Sequence, residues 1–241
     1  MRMDVAWLPG EKNPHPGEWD VFVVDVLRAS TTVITALSNG AREIMPAASI
    51  AEARRSAGNK KKDAVLLCGE RAGFRIRGFD LGNSPSDYSK ERVLGKSLVF
   101  ASTNGSVMLK KAAGKGGRVF VAGFVNMDAV VQAISSRDKD TRIACSGREG
   151  GFSLEDAVCA GMIVDRVRNM GVDPECWDGA LSALLLYRHF ASDLAGMARN
   201  SFHGKYLASI GMDKDIPDCT AVSRYNIVPE MRKGRITAKQ P

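Results

Sequence analysis

The sequence of 241 residues lacks several features that mark large classes of proteins. No apolar run approaches the roughly 18 residues that a membrane span needs, and the first ten residues lack the long apolar stretch of a signal peptide. The five cysteines are odd in number, widely scattered and without a Cys-x-x-Cys pair, which argues against a disulfide framework or a zinc knot. We therefore expect a cytoplasmic protein with reduced thiols and no membrane partner.

Two nucleotide-binding signatures and a histidine metal site are also missing. Neither the P-loop motif nor Gly-x-Gly-x-x-Gly occurs, which weakens an interpretation as an ATPase or a dehydrogenase. The three histidines, His15, His189 and His203, lie far apart and show no metal-ligand spacing, so surface or packing roles are expected for them. A role in a site is left open for His203, in Ser-Phe-His-Gly.

Positive charge is in excess, with a formal net charge of +7, so a nucleic-acid surface has to be considered. The basic runs are Lys60–Lys62 and Met231–Arg235, and neither is interleaved with aromatic residues. We expect a solvated loop and a solvated tail, and no nucleic-acid partner. The surplus charge would equally attract a small, multiply charged acid.

Five short apolar runs have strand character and alternate with helical patterns. They are Val21–Val24, Val65–Leu67, Ser97–Phe100, Arg118–Val121 and Thr141–Ala144. This alternation predicts an α/β fold, a three-layer α/β/α arrangement with a largely parallel or mixed central sheet. After about residue 171 the pattern becomes mainly helical, with a last strand near Tyr225–Val228 or Ile236. We expect a single domain over residues 1–241, with the sheet portion in residues 1–170 and the helical portion in residues 171–241.

Several local signals give helix boundaries. Ser49 to Glu52 and Ser153 to Asp156 have the spacing of capping boxes, which predicts helices that begin there. Amphipathic patterns predict helices over residues 153–170 and 178–190. Three glycines are expected to end helices, at Gly40, Gly114 and Gly171.

Polar clusters follow four of the predicted strands. They are residues 25–32, 69–71, 102–105 and 146–149. The carboxyl ends of parallel strands lie along one edge of a sheet, and ligands bind in the crevice outside that edge. We therefore expect the four clusters to converge on a ligand site.

The first cluster combines Asp25, Arg28 and three hydroxyl residues just before an apolar helical stretch. Hydroxyls in this place supply N-caps and leave outward-facing amides that attract anions. Asp25 cannot help to bind an anion by itself, so its presence indicates a metal ion that an anionic ligand shares. The alternative is that Asp25 and Arg28 simply pair at the strand end.

Carboxylates in two further segments extend the candidate metal site. Residues 78–85 form a turn-rich loop that carries Asp80, Asn83 and Ser84, and the alternative is a turn that only reverses the chain. Glu155 and Asp156 lie in the first turn of a helix, where carboxylates also favour the helix dipole or cap the helix. A ligand set of oxygen atoms alone favours Mg²⁺ over zinc.

Thr103, Asn104 and Gly105 lie between a strand and a helical run, where hydroxyl, amide and backbone N–H groups can bind phosphoryl oxygens. A β-hairpin turn is the competing interpretation of Asn104-Gly105. The helical character of the residues that follow disfavours it.

The separated motifs together resemble the Mg²⁺-dependent 2-phosphosulfolactate phosphatases of coenzyme M biosynthesis. The matching segments are residues 24–32, 69–71, 78–85, 103–105, 146–147 and 152–156, in the family's order, with less specific similarity at 201–204 and 215–219. Ser30 and Ser102 stand where threonine is expected, and Ala72 stands where glycine is common. A hydroxyl is retained at the first two positions, so the departures concern only details of fit.

The resemblance implies hydrolysis of (R)-2-phospho-3-sulfolactate to 3-sulfolactate and phosphate, with Mg²⁺ as the cofactor. It implies catalytic roles for Asp25, Arg28, Glu70 and Arg71. The implied metal ligands are Asp25, Glu70 and Asp156, with Asp80 and Glu155 as further candidates. The implied substrate-binding residues are Ser30, Thr31, Thr32, Asn83, Ser84, Thr103, Asn104, Gly105, Ser146 and Gly147.

Two questions of mechanism and function stay open at this point. A water molecule or a carboxylate could attack phosphorus, and water is preferred because Leu27 replaces the second aspartate of phosphatases that form an aspartyl phosphate. The competing functions are a phosphatase for another small phosphorylated organic acid, a non-catalytic anion- or nucleotide-binding protein, and a nucleic-acid binder. The sequence does not reveal the oligomeric state, and a homodimer is one option.

Overall fold

A computed structural model describes residues 1–11, 17–58, 64–113 and 117–238. Its strands are β1 (Arg2–Ala6), β2 (Asp20–Val24), β3 (Glu43–Pro46), β4 (Val65–Arg71), β5 (Phe74–Arg75), β6 (Ser97–Ala101), β7 (Val119–Ala122), β8 (Thr141–Cys145), β9 (Glu175–Cys176), β10 (Glu230–Arg232) and β11 (Arg235–Thr237). Its α-helices are α1 (Ala29–Ser38), α2 (Ile50–Ala57), α3 (Lys90–Val93), α4 (Gly105–Ala113), α5 (Met127–Arg137), α6 (Leu154–Asn169), α7 (Asp178–Phe190), α8 (Leu194–Asn200), α9 (Phe202–Ser209) and α10 (Asp215–Thr220). Within these ranges, no helix combines the length and the apolar character that a bilayer crossing requires.

The strands form one mixed, largely parallel sheet in the order β5-β4-β6-β3-β11-β10-β7-β2-β8-β1-β9. All five predicted strands are present, and β2 lies between β7 and β8 with both pairings parallel. The predicted α/β fold with a largely parallel or mixed sheet is confirmed. The strands β1 and β3 were not predicted, because Arg2–Ala6 and Glu43–Pro46 are short and interrupted by charge or proline.

Alternate residues of each central strand face two helical layers, as the pleat of a strand requires. Phe22 and Val24 pack with α5, α6 and α7 in one apolar cluster. Val23 packs with α1 and α4 in a second cluster on the opposite face of the sheet. Burial on both faces explains why β2 is an unbroken apolar run instead of an alternating one.

The C-terminal part is helical from α7 to α10 and then returns to the sheet. The antiparallel hairpin β10–β11 lies between β7 and β3, where Ile236 pairs with Ile44. The predicted last strand near Ile236 is therefore confirmed, whereas a strand at Tyr225–Val228 was wrong. Those residues have no regular secondary structure and lead into β10.

The predicted helix starts at Ser49 and Ser153 are confirmed by their hydrogen bonds. The Ser49 hydroxyl accepts from the Glu52 amide at 3.1 Å, and the Ser153 hydroxyl accepts from the Asp156 amide at 3.3 Å. Gly40 and Gly171 follow α1 and α6 with φ of +90° and +79°, a conformation that favours glycine. Three features named from the sequence lie outside the described residues, namely His15, the Lys60–Lys62 turn and the stop at Gly114.

Candidate functional site

One cavity of about 200 Å³ lies at the carboxyl ends of β2, β4, β6 and β8, and we call it the rim cavity. Each of the four polar clusters contributes to its wall. The strands β4 and β6 pair in parallel, as do β2 and β8, and three antiparallel pairings through the β10–β11 hairpin separate the two groups in the sheet. Its lining residues are Asp25, Leu27, Arg28, Glu70, Arg71, Ala72, Gly73, Asn83, Ser102, Thr103, Asn104, Arg148, Glu149, His203 and Tyr206.

Asp25 joins the end of β2 to the start of α1. Its carboxylate Oδ1 accepts the Ala29 N–H at 3.0 Å, and the Ser30 hydroxyl accepts the N–H of Asp25 at 2.9 Å. The helix is therefore capped by the Asp25 carboxylate, and the expectation that hydroxyls would cap it was wrong. Asp25 lies close enough to the helix in sequence to accept its first free amide, which leaves the hydroxyl side chains for other bonds.

The carboxylate of Asp25 is buried, with a relative exposure of 6%. Burial is the main reason why the pKa of Asp25 is raised to about 6. The hydrogen bond from the Ala29 N–H and the positive charge of His203 oppose this rise, whereas the negative charges of Glu70 and Glu155 add to it. A methyl group on Gly105 would lie 2.6 Å from Oδ2 of Asp25, so only glycine lets the start of α4 approach this carboxylate. Asp25 is thus held in one position close to two other carboxylates, Glu70 and Glu155.

Glu70 connects the end of β4 to two loops. Its Oε1 accepts the Thr103 N–H at 2.7 Å, and its Oε2 accepts the Gly73 N–H at 2.9 Å. The side chain is buried, and it lines the rim cavity together with Asp25. Each carboxylate oxygen keeps a second lone pair for a ligand. Glu70 therefore positions the loop of Thr103 and remains available to a cation.

Arg28 does not pair with Asp25, so the alternative of a simple pair at the strand end is wrong. Its guanidinium contacts the Asp215 carboxylate of α10 at 2.6 Å and donates to the Gly73 carbonyl at 2.7 Å. The other oxygen of Asp215 accepts the Ser84 hydroxyl at 2.5 Å. Arg28 and Asp215 are both almost fully buried. The charge of Arg28 is therefore largely neutralised by a residue almost 190 positions away in sequence.

Glu155 and Asp156 lie behind the wall of the rim cavity at the start of α6. Burial opposes ionisation of Glu155, but a hydrogen bond from His203 and the positive charge of that ring hold its pKa below the usual value. The Nδ1 of His203 lies 3.4 Å from Oε1 of Glu155. Burial and the charges of Asp25 and Glu155 raise the pKa of Asp156, whose two oxygens accept the N–H groups of Val26 and Gly147. Asp156 thus ties the β2 and β8 loops together.

Three predicted hydroxyl ligands bond to the backbone instead of lining the rim cavity. The Ser30 hydroxyl bonds to the Asp25 amide, and the Thr31 hydroxyl donates to the Val26 carbonyl at 3.1 Å. The Thr32 hydroxyl donates to the Asn83 carbonyl at 2.9 Å. These bonds stabilise the junction of strand and helix and hold the Asn83 loop against α1.

Other predicted site residues also lie outside the lining. Asp80 is exposed, and its Oδ2 accepts the Leu67 N–H at 2.8 Å, which places it on the outer side of β4. Ser84 supports Asp215, and Gly105 packs against Asp25. The Ser146 hydroxyl is buried without a hydrogen-bond partner among the described residues, next to Gly147. The predicted residues that do line the cavity are Asp25, Arg28, Glu70, Arg71, Asn83, Thr103 and Asn104.

The structure adds residues that sequence reasoning did not assign to a site. Arg148 and Glu149 belong to the fourth polar cluster but were not selected from it, and Tyr206 had no motif around it. His203 lines the cavity and contacts Glu155, a role that its sequence left open. Asp215 lies in a segment that matched the family only weakly. Its function as the partner of Arg28 could not be read from spacing.

Comparisons with known proteins agree on one family. The family model described as 2-phosphosulpholactate phosphatase matches residues 9–234. A protein of Caldanaerobacter subterraneus subsp. tengcongensis is 37% identical over 223 residues, which cover 92% of each chain. A protein of Thermotoga maritima is 38% identical over 90% of this chain and 91% of its own, and one of Pseudothermotoga lettingae is 36% identical over 99% and 100%. All three are named as probable 2-phosphosulfolactate phosphatases.

Proposed function

The chain belongs to the 2-phosphosulfolactate phosphatase family, and from this premise we propose that the rim cavity hydrolyses (R)-2-phospho-3-sulfolactate to 3-sulfolactate and phosphate, a step of coenzyme M biosynthesis. The observation that carries this assignment is that two buried carboxylates, Asp25 and Glu70, share one small cavity with the guanidinium groups of Arg71 and Arg148. A phosphorylated acid needs both kinds of group. The guanidinium groups attract the anionic groups of the substrate. The carboxylates can hold a cation, which offsets the repulsion between the carboxylates and the substrate's anionic groups.

We propose Mg²⁺ as the cofactor and Asp25 and Glu70 as the residues that would hold it. No three His, Cys, Asp or Glu side chains of the described ranges are close enough together to hold a metal ion by themselves. Mg²⁺ usually takes one or two carboxylates and completes its shell with water and substrate phosphate, so this pair fits it. The pKa of Asp25 is raised chiefly by burial and further by the charges of Glu70 and Glu155, and a divalent cation bound to the carboxylate would offset these effects. When bound, Mg²⁺ would neutralise charge on the phosphoryl oxygens.

The other lining residues supply contacts for the phosphoryl group and the attacking water. The Arg71 guanidinium donates to its neighbour's carbonyl at 2.7 Å and keeps further N–H donors for phosphoryl oxygens. Asn104 accepts the Glu149 N–H at 3.1 Å, which holds the loop of Thr103 against the β8 loop. The Oδ1 of Asn83 is buried without a partner among the described residues. We assign it to accept a hydrogen bond from the water that attacks phosphorus.

His203 is proposed to donate a proton to the leaving group. The leaving oxygen belongs to a secondary alcohol, which is a poor leaving group unless it is protonated as the bond to phosphorus breaks. His203 lines the cavity, and its Nδ1 lies 3.4 Å from the buried carboxylate of Glu155. This contact orients the ring and leaves the second nitrogen for the ligand.

Replacing His203 by glutamine is expected to lower kcat for 2-phosphosulfolactate about 100-fold, the usual size of a general-acid contribution. An aryl phosphate needs no proton on its leaving group, so its kcat should change less than about threefold. His189→Gln, on α7 and outside the rim cavity, is the control that should leave both rates unchanged. Equal losses on the two substrates would contradict the role as a proton donor.

The function itself is tested by phosphate release from 2-phosphosulfolactate with Mg²⁺ and after treatment with EDTA. We expect metal removal to lower the rate about 100-fold or more, since the ion stabilises transition-state charge by several kcal/mol. Phospholactate and phosphoglycolate serve as comparison substrates without sulfonate. Faster hydrolysis of these would favour another phosphorylated acid as the substrate, and saturable binding without phosphate release would favour a non-catalytic binding protein.

A further inference from the structure

Arg148 is held at the cavity wall by two aromatic rings of α9. Its guanidinium carbon lies 4.6 Å from the ring centre of Phe202 and 4.3 Å from that of Tyr206. The same group donates to the Phe202 carbonyl at 3.4 Å, and its side chain is only 13% exposed. Such contacts fix the plane of a guanidinium without neutralising its charge.

The charge of Arg148 lacks the close partner that Arg28 has. Its nearest carboxylate contact among the described residues is with Glu149 at 3.9 Å, and the Glu149 side chain is 72% exposed. Such a contact with an exposed carboxylate contributes little, whereas Arg28 contacts the buried Asp215 at 2.6 Å. The rim cavity therefore has a pre-oriented cation with several free N–H donors, which an anionic group of a ligand would satisfy.

Arg148 and Arg71 reach the cavity from different parts of the sheet. Arg71 ends β4, and Arg148 follows β8, several strands away in the sheet order. Tyr206 connects the two sides, because its ring lies under Arg148 while its hydroxyl donates to the Ala72 carbonyl at 3.1 Å. Two separate cations suit a ligand with two separate anionic groups.

We propose that Arg148, supported by Phe202 and Tyr206, binds the sulfonate of the substrate and determines the preference for sulfonated phosphate esters. This inference rests on the proposed function, and it assigns the phosphoryl group to the Asp25, Glu70 and Arg71 side of the cavity. The proposal also gives a role to Phe202, an apolar side chain that is 81% exposed to solvent. Phe202 holds Arg148 in the orientation that the sulfonate requires.

The test compares Arg148→Gln with the wild type on three substrates: 2-phosphosulfolactate, phospholactate, which lacks the sulfonate, and phosphoisethionate, which lacks the carboxylate. We expect kcat/KM to fall about 100-fold on both sulfonated esters, as for loss of a charge-assisted hydrogen-bond partner, and to change less than about threefold on phospholactate. Arg199→Gln, on the exposed face of α8, is the control. Phe202→Ala should raise KM for the sulfonated esters and leave kcat unchanged.

The other outcomes overturn the proposal in distinguishable ways. Equal losses on all three substrates would place Arg148 at the phosphoryl group or in a structural role. A loss on phospholactate but not on phosphoisethionate would assign it to the carboxylate, and no loss on any substrate would remove it from the site. If the wild type releases no phosphate from any of the three, the proposed function fails, and the role of Arg148 in it fails with it.

Discussion

Replacing Asp25 by asparagine is expected to lower kcat/KM for 2-phosphosulfolactate about 1,000-fold, the equivalent of about 4 kcal/mol of transition-state stabilisation. Asparagine has nearly the same shape, and its Oδ1 can still accept the Ala29 N–H, so α1 keeps its cap. The variant loses the negative charge that we assign to metal binding. Steady-state phosphate release over a range of Mg²⁺ concentrations measures the effect.

The same variant should be more stable than the wild type once metal is removed. The pKa of Asp25 is raised from 3.8 to about 6 in the folded state, so its ionisation opposes folding. The cost is absent below pH 3.8, where the carboxyl is protonated in both states, and it is complete above about pH 6. A difference of this size corresponds to about 3 kcal/mol. In EDTA at pH 8, urea unfolding should therefore give Asp25→Asn the higher free energy of unfolding, and at pH 3.5 the difference should disappear.

Glu91→Gln is the matched control for Asp25→Asn. Glu91 is an exposed carboxylate on α3, outside the rim cavity, so its amide variant should keep the activity of the wild type. The metal-binding role of Asp25 would be contradicted if Asp25→Asn retained more than about a tenth of the wild-type kcat/KM at saturating Mg²⁺. Loss of activity together with a lower free energy of unfolding in EDTA would instead indicate a structural role.

Replacing Asp215 by asparagine is expected to cost about 3–5 kcal/mol of stability, because it leaves the Arg28 charge buried without a counter-charge. The pair is almost fully buried, with side-chain exposures of 3% and 1%, and the contact distance is 2.6 Å. The change also removes the carboxylate that accepts the Ser84 hydroxyl. Urea unfolding at pH 7 measures the loss, and phosphate release at low temperature shows whether the folded fraction is still active.

Asp218 provides a control on the same helix. It contacts Arg224 at 2.8 Å, but both side chains are partly exposed to solvent, with exposures of 38% and 52%. Asp218→Asn should therefore change the free energy of unfolding by less than about 1 kcal/mol. If the Asp215 and Asp218 variants lost similar stability, the buried pair would have no special role in holding Arg28.

Parts of the fold follow directly from residue patterns. The strand β2 was predictable because burial on both faces leaves an unbroken apolar run, and α6 was predictable because Ser153 caps it. The strand β3 was missed, because its burial alternates over only four residues and it ends in proline. The C-terminal hairpin was only partly foreseen. Its place between β3 and β7 depends on pairings with strands that lie far away in sequence.

The candidate site divides in a similar way. Asp25 and Glu70 were expected to converge because polar residues after parallel strands share one edge. Both line the rim cavity, although three antiparallel pairings separate β2 from β4 in the sheet. The hydroxyls of Thr31 and Thr32 were misleading, since their hydrogen-bonding capacity is used by backbone carbonyls. A residue type shows that a side chain can bind a ligand. It does not show whether the hydrogen-bonding groups of that side chain already bind another part of the protein.

The sequence by itself determined the fold class and the family, because these depend on local periodicity and on motifs of adjacent residues. Only the tertiary structure decided that Arg28 pairs with Asp215, that His203 pairs with Glu155, and that Arg148 rests on the rings of α9. Each of these contacts joins segments that lie far apart in the sequence, and that separation does not show how close they are in the folded protein. The electrostatics of a buried site depend on such distances, because an opposite charge within a few ångströms determines whether a side chain is neutralised or left for a ligand.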